Sequence, residues 1–230
     1  MGSLRTLTLS VGLLGLALTT TVLAIGPTEM DDFQDGTTAG WMLPSATGNP
    51  TNIPDGGPEG TGDRYLQVIS TGTGGPGSRV GVVNEDQWTG DYTAVGSEIT
   101  ITVDLANFGP PNPVDSGTGP DQLNIRVAFE GGEIPMLTGP MEGARWVSTT
   151  AFSLPEDGVW RTATFVLSEA DMTRVEGTGA FTDVISMVSQ FRIVSAATPS
   201  WRGDAIAANL GIDNIQVVSV PVELQTFSID

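Results

Sequence analysis

An alternation of apolar and polar side chains constrains the fold of this chain most strongly. In the segment SEITITVDL, Ile99, Ile101, Val103 and Leu105 fall on one face of an extended strand, and polar residues fall on the other. The segment LNIRVAF, residues 123–129, alternates in the same way. Strands of this kind bury one face only, so they need a second layer to cover it.

Turn-forming segments separate the strand candidates. The chain has 230 residues with 30 Gly and 15 Pro, and two long loops, 44–63 and 107–121, are dense in Gly, Pro, Asn and Asp. No fixed repeat occurs, which excludes a solenoid. Two segments, 168–175 and 181–188, have the pattern of short helices. The sequence therefore predicts an all-β protein, an antiparallel β-sandwich (jelly roll) of about eight strands with long Gly/Pro-rich loops.

Charge and composition exclude several classes of function. All 9 basic residues are Arg, 27 residues are acidic, and the formal net charge is -18. Such a surface repels phosphate backbones, so we expect no nucleic-acid partner. The chain has no Cys and no His, which excludes thiol nucleophiles, His general bases and zinc sites built on these residues. Any metal site must use oxygen ligands, which points to calcium.

The N-terminal segment has the pattern of a secretory signal peptide. Arg5 precedes an interrupted apolar run, and short residues stand before the expected cleavage position after Ala24. The alternative, a membrane anchor, needs a longer apolar run. We divide the chain into a signal peptide (1–24), a jelly-roll domain (25–219) and a C-terminal tail (220–230). We expect a secreted bacterial protein, extracellular or at the cell surface, with no membrane span after cleavage.

The two ends of the domain resemble a known group of folds. The segment DDFQDGTTAGW (31–41) opens the domain and LGIDNIQVV (210–218) closes it. This pair resembles the galactose-binding-like jelly rolls, which include many carbohydrate-binding modules and the laminin B (laminin IV) type of exported bacterial proteins. The resemblance spans residues 30–218, and it implies a jelly roll with a non-catalytic binding function.

The resemblance also implies a structural calcium between the first and last strands. Asp31, Asp32 and Asp35 would supply carboxylates from one end of the domain, and Asp213 from the other. Asp213 is the best single candidate, because an acid inside an apolar strand is costly unless it is paired or metal-bound. The alternative is that Asp35 only forms a turn and Asp213 only ends a strand.

Aromatic residues in polar loops are candidates for a sugar-binding platform. Trp88 and Tyr92 lie four residues apart in NEDQWTGDY, and Trp201 lies in another loop. These three rings are the candidates for an exposed platform that stacks on sugars, and the alternative is that each ring closes the core. Trp160 lies in an alternating strand, so its exposure depends on the strand register.

The loop that contains Trp201 continues into Arg202-Gly203-Asp204, the tripeptide that some adhesion proteins present to integrins. Gly and Asp are common turn residues, so we interpret the tripeptide as a turn before the last strand.

These features predict a secreted, non-catalytic module that binds a polysaccharide or another extracellular matrix polymer. The alternative is a structural or surface-layer protein with no small ligand. Exposure of Trp88, Tyr92 and Trp201 on one face would favour binding, and burial of all three would favour the structural alternative. Paired carboxylates can hydrolyse glycosides, but no segment has the Glu-x-Asp-x-x-Glu strand typical of sandwich glycosidases, so we do not expect an enzyme.

Overall fold

The computed structural model is a sandwich of two six-stranded antiparallel sheets. The predicted signal peptide (1–24) and tail (220–230) lie outside the described residues. No helix in the part of the chain that is described is long and apolar enough to cross a membrane. The described residues are 25–26, 29–44, 49–95, 99–110, 122–131 and 143–219.

Twelve strands and two short helical segments make up the regular structure of the described residues. The helical segments are a 3₁₀ turn at Tyr92–Ala94 and α1 at Phe181–Ile185. The strands are β1 (Met30–Asp31), β2 (Thr51–Ile53), β3 (Tyr65–Thr71), β4 (Gly81–Asn84), β5 (Ile99–Asn107), β6 (Gln122–Gly131), β7 (Arg145–Ser148), β8 (Phe152–Pro155), β9 (Arg161–Val166), β10 (Met172–Glu176), β11 (Val188–Ser195) and β12 (Ala207–Ser219).

The first sheet has the strand order β2-β3-β12-β5-β9, and β1 pairs with β12 beside this row. The second sheet has the order β10-β7-β6-β11-β4, and β8 pairs with β6. The predicted all-β antiparallel sandwich is confirmed. The strands outnumber the predicted eight or so for four reasons. One predicted strand, 144–154, is two strands, and β2 forms inside the predicted loop 44–63. The short strand β1 pairs with β12, and β10 forms where the sequence predicts a helix.

The core fills the space between the two sheets. The inward residues of β5 and β6 are buried in the alternating pattern that the sequence predicts. An aromatic cluster lies within it, where Phe129 and Phe191 stack with ring centroids 4.9 Å apart. Trp41 and Trp88 pack on Phe191 at 5.5 Å and 5.3 Å. The core is therefore closed by large side chains that come from loops as well as strands.

The predicted helix at 168–175 is wrong. Ser168 and Asp171 form a hydrogen-bonded turn, with the Asp171 N–H donating to the Ser168 carbonyl at 3.0 Å. The chain then continues as β10, which pairs with β7. Pairing with a neighbouring strand satisfies the backbone groups here, and this tertiary contact overrides the local helix propensity. The helix predicted at 181–188 is confirmed in its first part, as α1, and it is shorter than predicted because β11 begins at Val188.

Candidate functional site

The last strand places a row of side chains on the outer face of the first sheet. Gly211 of β12 pairs with Gln67, and Asp213 pairs with Asp104. Residues at paired positions share a face of the sheet. Ile212, between them, is fully buried in the core, so the four residues face away from the core. We call this side of the molecule the first outer face.

Three aromatic rings lie together on the first outer face. Ring centroids are 5.3 Å apart for Tyr65 and Trp160, 5.8 Å for Tyr65 and Phe108, and 6.0 Å for Phe108 and Trp160. A Cβ atom on Gly211 would stand 2.8 Å from both Phe108 and Trp160, so the glycine makes room for the rings. The Trp160 indole N–H donates to the Gly56 carbonyl at 3.0 Å. Phe108 is 38% exposed, so the cluster presents a fixed apolar surface to solvent.

A buried carboxylate lies one position along the same face. Asp213 is fully buried, and its Oδ1 accepts the Asn214 N–H at 2.8 Å. Its Oδ2 has no hydrogen-bond partner among the described residues. Burial raises the pKa of Asp213 to about 8, and the negative charges of Asp63, Asp104 and Asp32 act in the same direction. A buried carboxylate oxygen without a partner is costly, and a cation would relieve that cost.

A polar cleft adjoins this carboxylate. It has a volume of about 380 Å³ and lies between the N-terminal segment, the loop that follows β2, and β12. Gln34 crosses part of it, because its amide donates to Asp63 Oδ1 at 2.7 Å. The described lining residues are Met30, Asp32, Gln34, Glu59, Thr61, Gly62, Asp63 and Asn214.

The four predicted metal ligands do not form one site. Asp31 points into the core, where its Oδ2 accepts the indole N–H of Trp41 at 2.7 Å and of Trp88 at 2.6 Å. The Gln87 amide donates to the same oxygen at 3.1 Å. Burial raises the pKa of Asp31, and these hydrogen bonds oppose the rise. Asp31 therefore anchors core tryptophans, which leaves it unsuited to bind calcium.

Two of the other predicted ligands lie in exposed positions. Asp35 accepts both the N–H and the hydroxyl of Thr37, and the backbone hydrogen bond is the main cause that lowers its pKa. It forms a turn, as the alternative interpretation has it. Asp32 accepts the Gln34 N–H at 3.1 Å and lines the polar cleft. No group of three or more acids in the described ranges is arranged to hold a metal, so only Asp213 and Asp32 stay as candidates.

The prediction of an exposed platform at Trp88, Tyr92 and Trp201 is wrong, and the alternative, in which each ring is buried, is correct. Trp88 and Tyr92 are fully buried and Trp201 is 3% exposed. The Tyr92 hydroxyl donates to the Trp88 carbonyl at 2.9 Å, and its ring meets Phe129 edge-on. Large aromatic rings bury well wherever a loop folds back on the core, so polar sequence neighbours do not guarantee exposure.

The aromatic surface that the structure shows instead combines Trp160 with two residues that the sequence analysis does not single out, Tyr65 and Phe108. The exposure of Trp160 depends on strand register, and Phe108 lies in a loop segment without any pattern. The available signal was Gly211, because a glycine within a strand often marks close approach of another group.

Comparison with known proteins gives a fold but no family. No protein-family model matches the sequence, and no curated protein matches it. Among solved structures, an exo-β-agarase superimposes with a TM-score of 0.53 at 12% identity. The match covers 83% of this chain and 24% of the agarase, so the chain spans about a quarter of that enzyme.

A second solved structure matches over nearly its whole length. The family 11 carbohydrate-binding module of the cellulosomal cellulase Lic26A-Cel5E of Clostridium thermocellum superimposes with a TM-score of 0.50 at 18% identity. The match covers 86% of this chain and 97% of the module. The chain therefore has the same jelly-roll fold as this carbohydrate-binding module.

Proposed function

We propose that this protein is a secreted, non-catalytic module that binds an extracellular polysaccharide through the first outer face. The observation that carries the proposal is the aromatic cluster of Tyr65, Phe108 and Trp160, which is held in place and partly exposed. Sugar rings present C–H surfaces that pack on aromatic rings, and a ring fixed by hydrogen bonds loses little entropy on binding. The shared fold with a carbohydrate-binding module supports this assignment.

Polar groups beside the rings would bind sugar hydroxyls. The Thr162 hydroxyl donates to Asp104, and the Asn214 amide donates to the other Asp104 oxygen at 3.0 Å. Gln67 is half-buried on the same face. An apolar platform next to a few oriented donors and acceptors is the usual composition of a small-ligand site.

The test is a polysaccharide pull-down with matched variants. Trp160→Ala should weaken binding about tenfold, since truncating a central aromatic contact typically costs this much or more. Val159→Ala is the control, because Val159 is adjacent and 53% exposed. Binding that survives both Trp160→Ala and Phe108→Ala would refute this face as the site.

We further propose that calcium binds at Asp213. The unpartnered Oδ2 supports a cation there, and the oxygens of Asp32, Asp63 and Gln34 line the adjoining cleft. Calcium accepts mixed carboxylate and amide oxygens. When bound, calcium would supply a positive charge that compensates the clustered acids and ties the N-terminal segment to β12.

Thermal melts test the calcium proposal. At a calcium concentration of 100 times the Kd, the stability gain is about 2.7 kcal/mol, which corresponds to a rise in Tm of roughly 5–10 °C. Asp213→Asn should lose this rise, whereas Asp35→Asn should keep it. Identical melts in excess chelator and in calcium would contradict the proposal.

A structural protein with no small ligand is the second candidate. The burial of Trp88, Tyr92 and Trp201 favours it, because the predicted platform is absent. A polysaccharide panel on which the wild-type protein is never retained would select this alternative.

A further inference from the structure

The outer face of the second sheet carries a cluster of arginines. Phe191 and Ile193 of β11 point into the core, so Arg192 between them points outward. The loop that joins β11 to β12 folds over this face, and its Trp201 packs on Ala128 and Val147. We call this side of the molecule the second outer face.

A cleft of about 380 Å³ opens beside Trp201. Four arginines line it, out of 9 in the whole chain, and no acidic residue is among its described lining residues. Pro44 and Pro76 supply apolar walls. Its volume is in the range of small-molecule sites, roughly 300–1,000 Å³. This arginine cleft is defined by Arg79, Arg145, Arg192, Arg202 and Trp201.

Three of these arginines have no acidic partner among the described residues. Arg145 forms ion pairs with Glu130 and Glu176. Arg79, Arg192 and Arg202 form no ion pair with any acid in the described segments. With 27 acids in the chain, unpaired arginines that meet in one cleft are a strong local exception to the overall charge. Their positive potential attracts an anion, whereas the rest of the surface repels one.

Contacts within the protein hold two of the arginines that line the cleft. The Arg192 guanidinium lies 4.1 Å from the Trp201 ring centroid, and its Nε donates to the Gln190 amide oxygen at 2.6 Å. Burial lowers the pKa of Arg192 to about 10, so it is charged at neutral pH. Arg79 donates to the Gly203 carbonyl, which ties the opposite wall to the Trp201 loop.

The Arg202-Gly203-Asp204 tripeptide is part of this arrangement. Asp204 accepts the Ala197 N–H at 2.7 Å and so closes its own loop. Gly203 is buried with φ +69°, a conformation that favours glycine. Arg202 is exposed and lines the cleft. The turn interpretation therefore accounts for Gly203 and Asp204, and Arg202 has a separate role at the cleft.

We infer that the arginine cleft binds the carboxylate of a uronic acid unit in an acidic polysaccharide. The planar guanidinium fork matches the two oxygens of a carboxylate, and the proline walls match the C–H faces of a sugar. That the carboxylate belongs to a sugar rests on the proposed function; the preference for an anion rests on the arginines alone.

Titration calorimetry with a short oligogalacturonate tests the inference. Arg79→Gln combined with Arg202→Gln should weaken binding at least about tenfold, because each loses a charge-assisted contact. Arg79→Gln also loses the hydrogen bond to the Gly203 carbonyl, so Arg202→Gln is measured alone as well. The Arg202 side chain is exposed, and this single variant should melt like the wild type while it binds more weakly. Arg174→Gln is the control: it removes the same charge from an exposed arginine of the second sheet that does not line the cleft. Equal weakening in the control would overturn the inference.

Further ligands separate this site from the first outer face. The methyl-esterified oligomer lacks the negative charge and should not bind the cleft; equal binding would overturn the inference. Tighter binding of a sulfated galactan oligomer would overturn the carboxylate assignment. Trp160→Ala should leave oligogalacturonate binding intact even where it abolishes neutral-polysaccharide binding. Loss of both together would place the uronate on the first outer face and refute the cleft.

Discussion

Each outer face of the sandwich carries one charged site, and the two sites have opposite sign. The first outer face gathers carboxylates around Asp213, whose Oδ2 has no partner among the described residues. The second gathers arginines around Trp201, and three of them lack an acidic partner in the described ranges. Both faces use the same antiparallel framework. The difference shows that a chain with a net charge of -18 can keep a local positive site where strand pairing brings distant arginines together.

The largest expected effect comes from Arg126, which holds the loop of the second outer face. Its guanidinium donates to the carbonyls of Ser148, Thr149, Ala196 and Ala197. Replacing Arg126 by Met leaves these acceptors with fewer partners. We expect the free energy of unfolding to fall by about 3 kcal/mol and Tm to fall by roughly 6–12 °C.

Chemical denaturation of this variant measures the loss. Arg174→Met is the control, since Arg174 is exposed and makes one long hydrogen bond. Binding of neutral polysaccharide should persist in Arg126→Met at temperatures where the variant is folded. A wild-type melting curve for Arg126→Met would contradict the claim that Arg126 holds the loop of the second outer face.

The second-largest expected effect concerns Asp213 of the first outer face. It is the change of thermal stability with pH, measured in chelator so that no calcium is bound. The pKa of Asp213 is raised to about 8, so the folded state holds a proton that the unfolded state releases near pH 4. Stability from this group is complete below about pH 4 and is lost as pH rises towards 8.

We expect Tm in chelator to fall by several degrees between pH 5 and pH 8. The chain has no His, so no imidazole titrates in this interval. Asp213→Asn should flatten the curve, and calcium should flatten it in the wild type. A steep curve that persists in Asp213→Asn would assign the titration to another group, such as Asp31 or Glu29, whose pKa values burial also raises.

The smallest expected effect on stability is at Gly211. A Cβ there would stand 2.8 Å from both Phe108 and Trp160, so at least one of the two rings must move. We expect Gly211→Ala to cost about 1 kcal/mol but to weaken neutral-polysaccharide binding by displacing the aromatic cluster. Calorimetry should show an unchanged affinity for oligogalacturonate in this variant. A weaker affinity would contradict the assignment of the two ligands to different faces.

The alternation of apolar and polar residues predicts part of the fold, but it does not predict which side chains form the site. The alternation in β5 and β6 predicts the inward residues correctly because side-chain direction in a strand depends only on position. The predicted aromatic platform failed because burial of Trp88 depends on Asp31, 57 residues away, which accepts its indole N–H. Asp213 was identified from its apolar neighbours, which is local information. The resemblance implies Asp31 as a second ligand, but its carboxylate accepts the indole N–H groups of Trp41 and Trp88. The sequence does not show this pairing.

The sequence by itself determined a two-layer antiparallel sandwich, the inward residues of its alternating strands β5 and β6, and a composition without Cys or His that limits metal sites to oxygen ligands. Tertiary structure alone decided which acid is unpartnered, which aromatic rings reach solvent, and that Arg79, Arg192 and Arg202 share one cleft. The physical reason is the distance along the chain between the residues that interact. Strand direction is a property of neighbouring residues, whereas the partner of a charge or a ring is set by strand pairing between segments far apart in the chain.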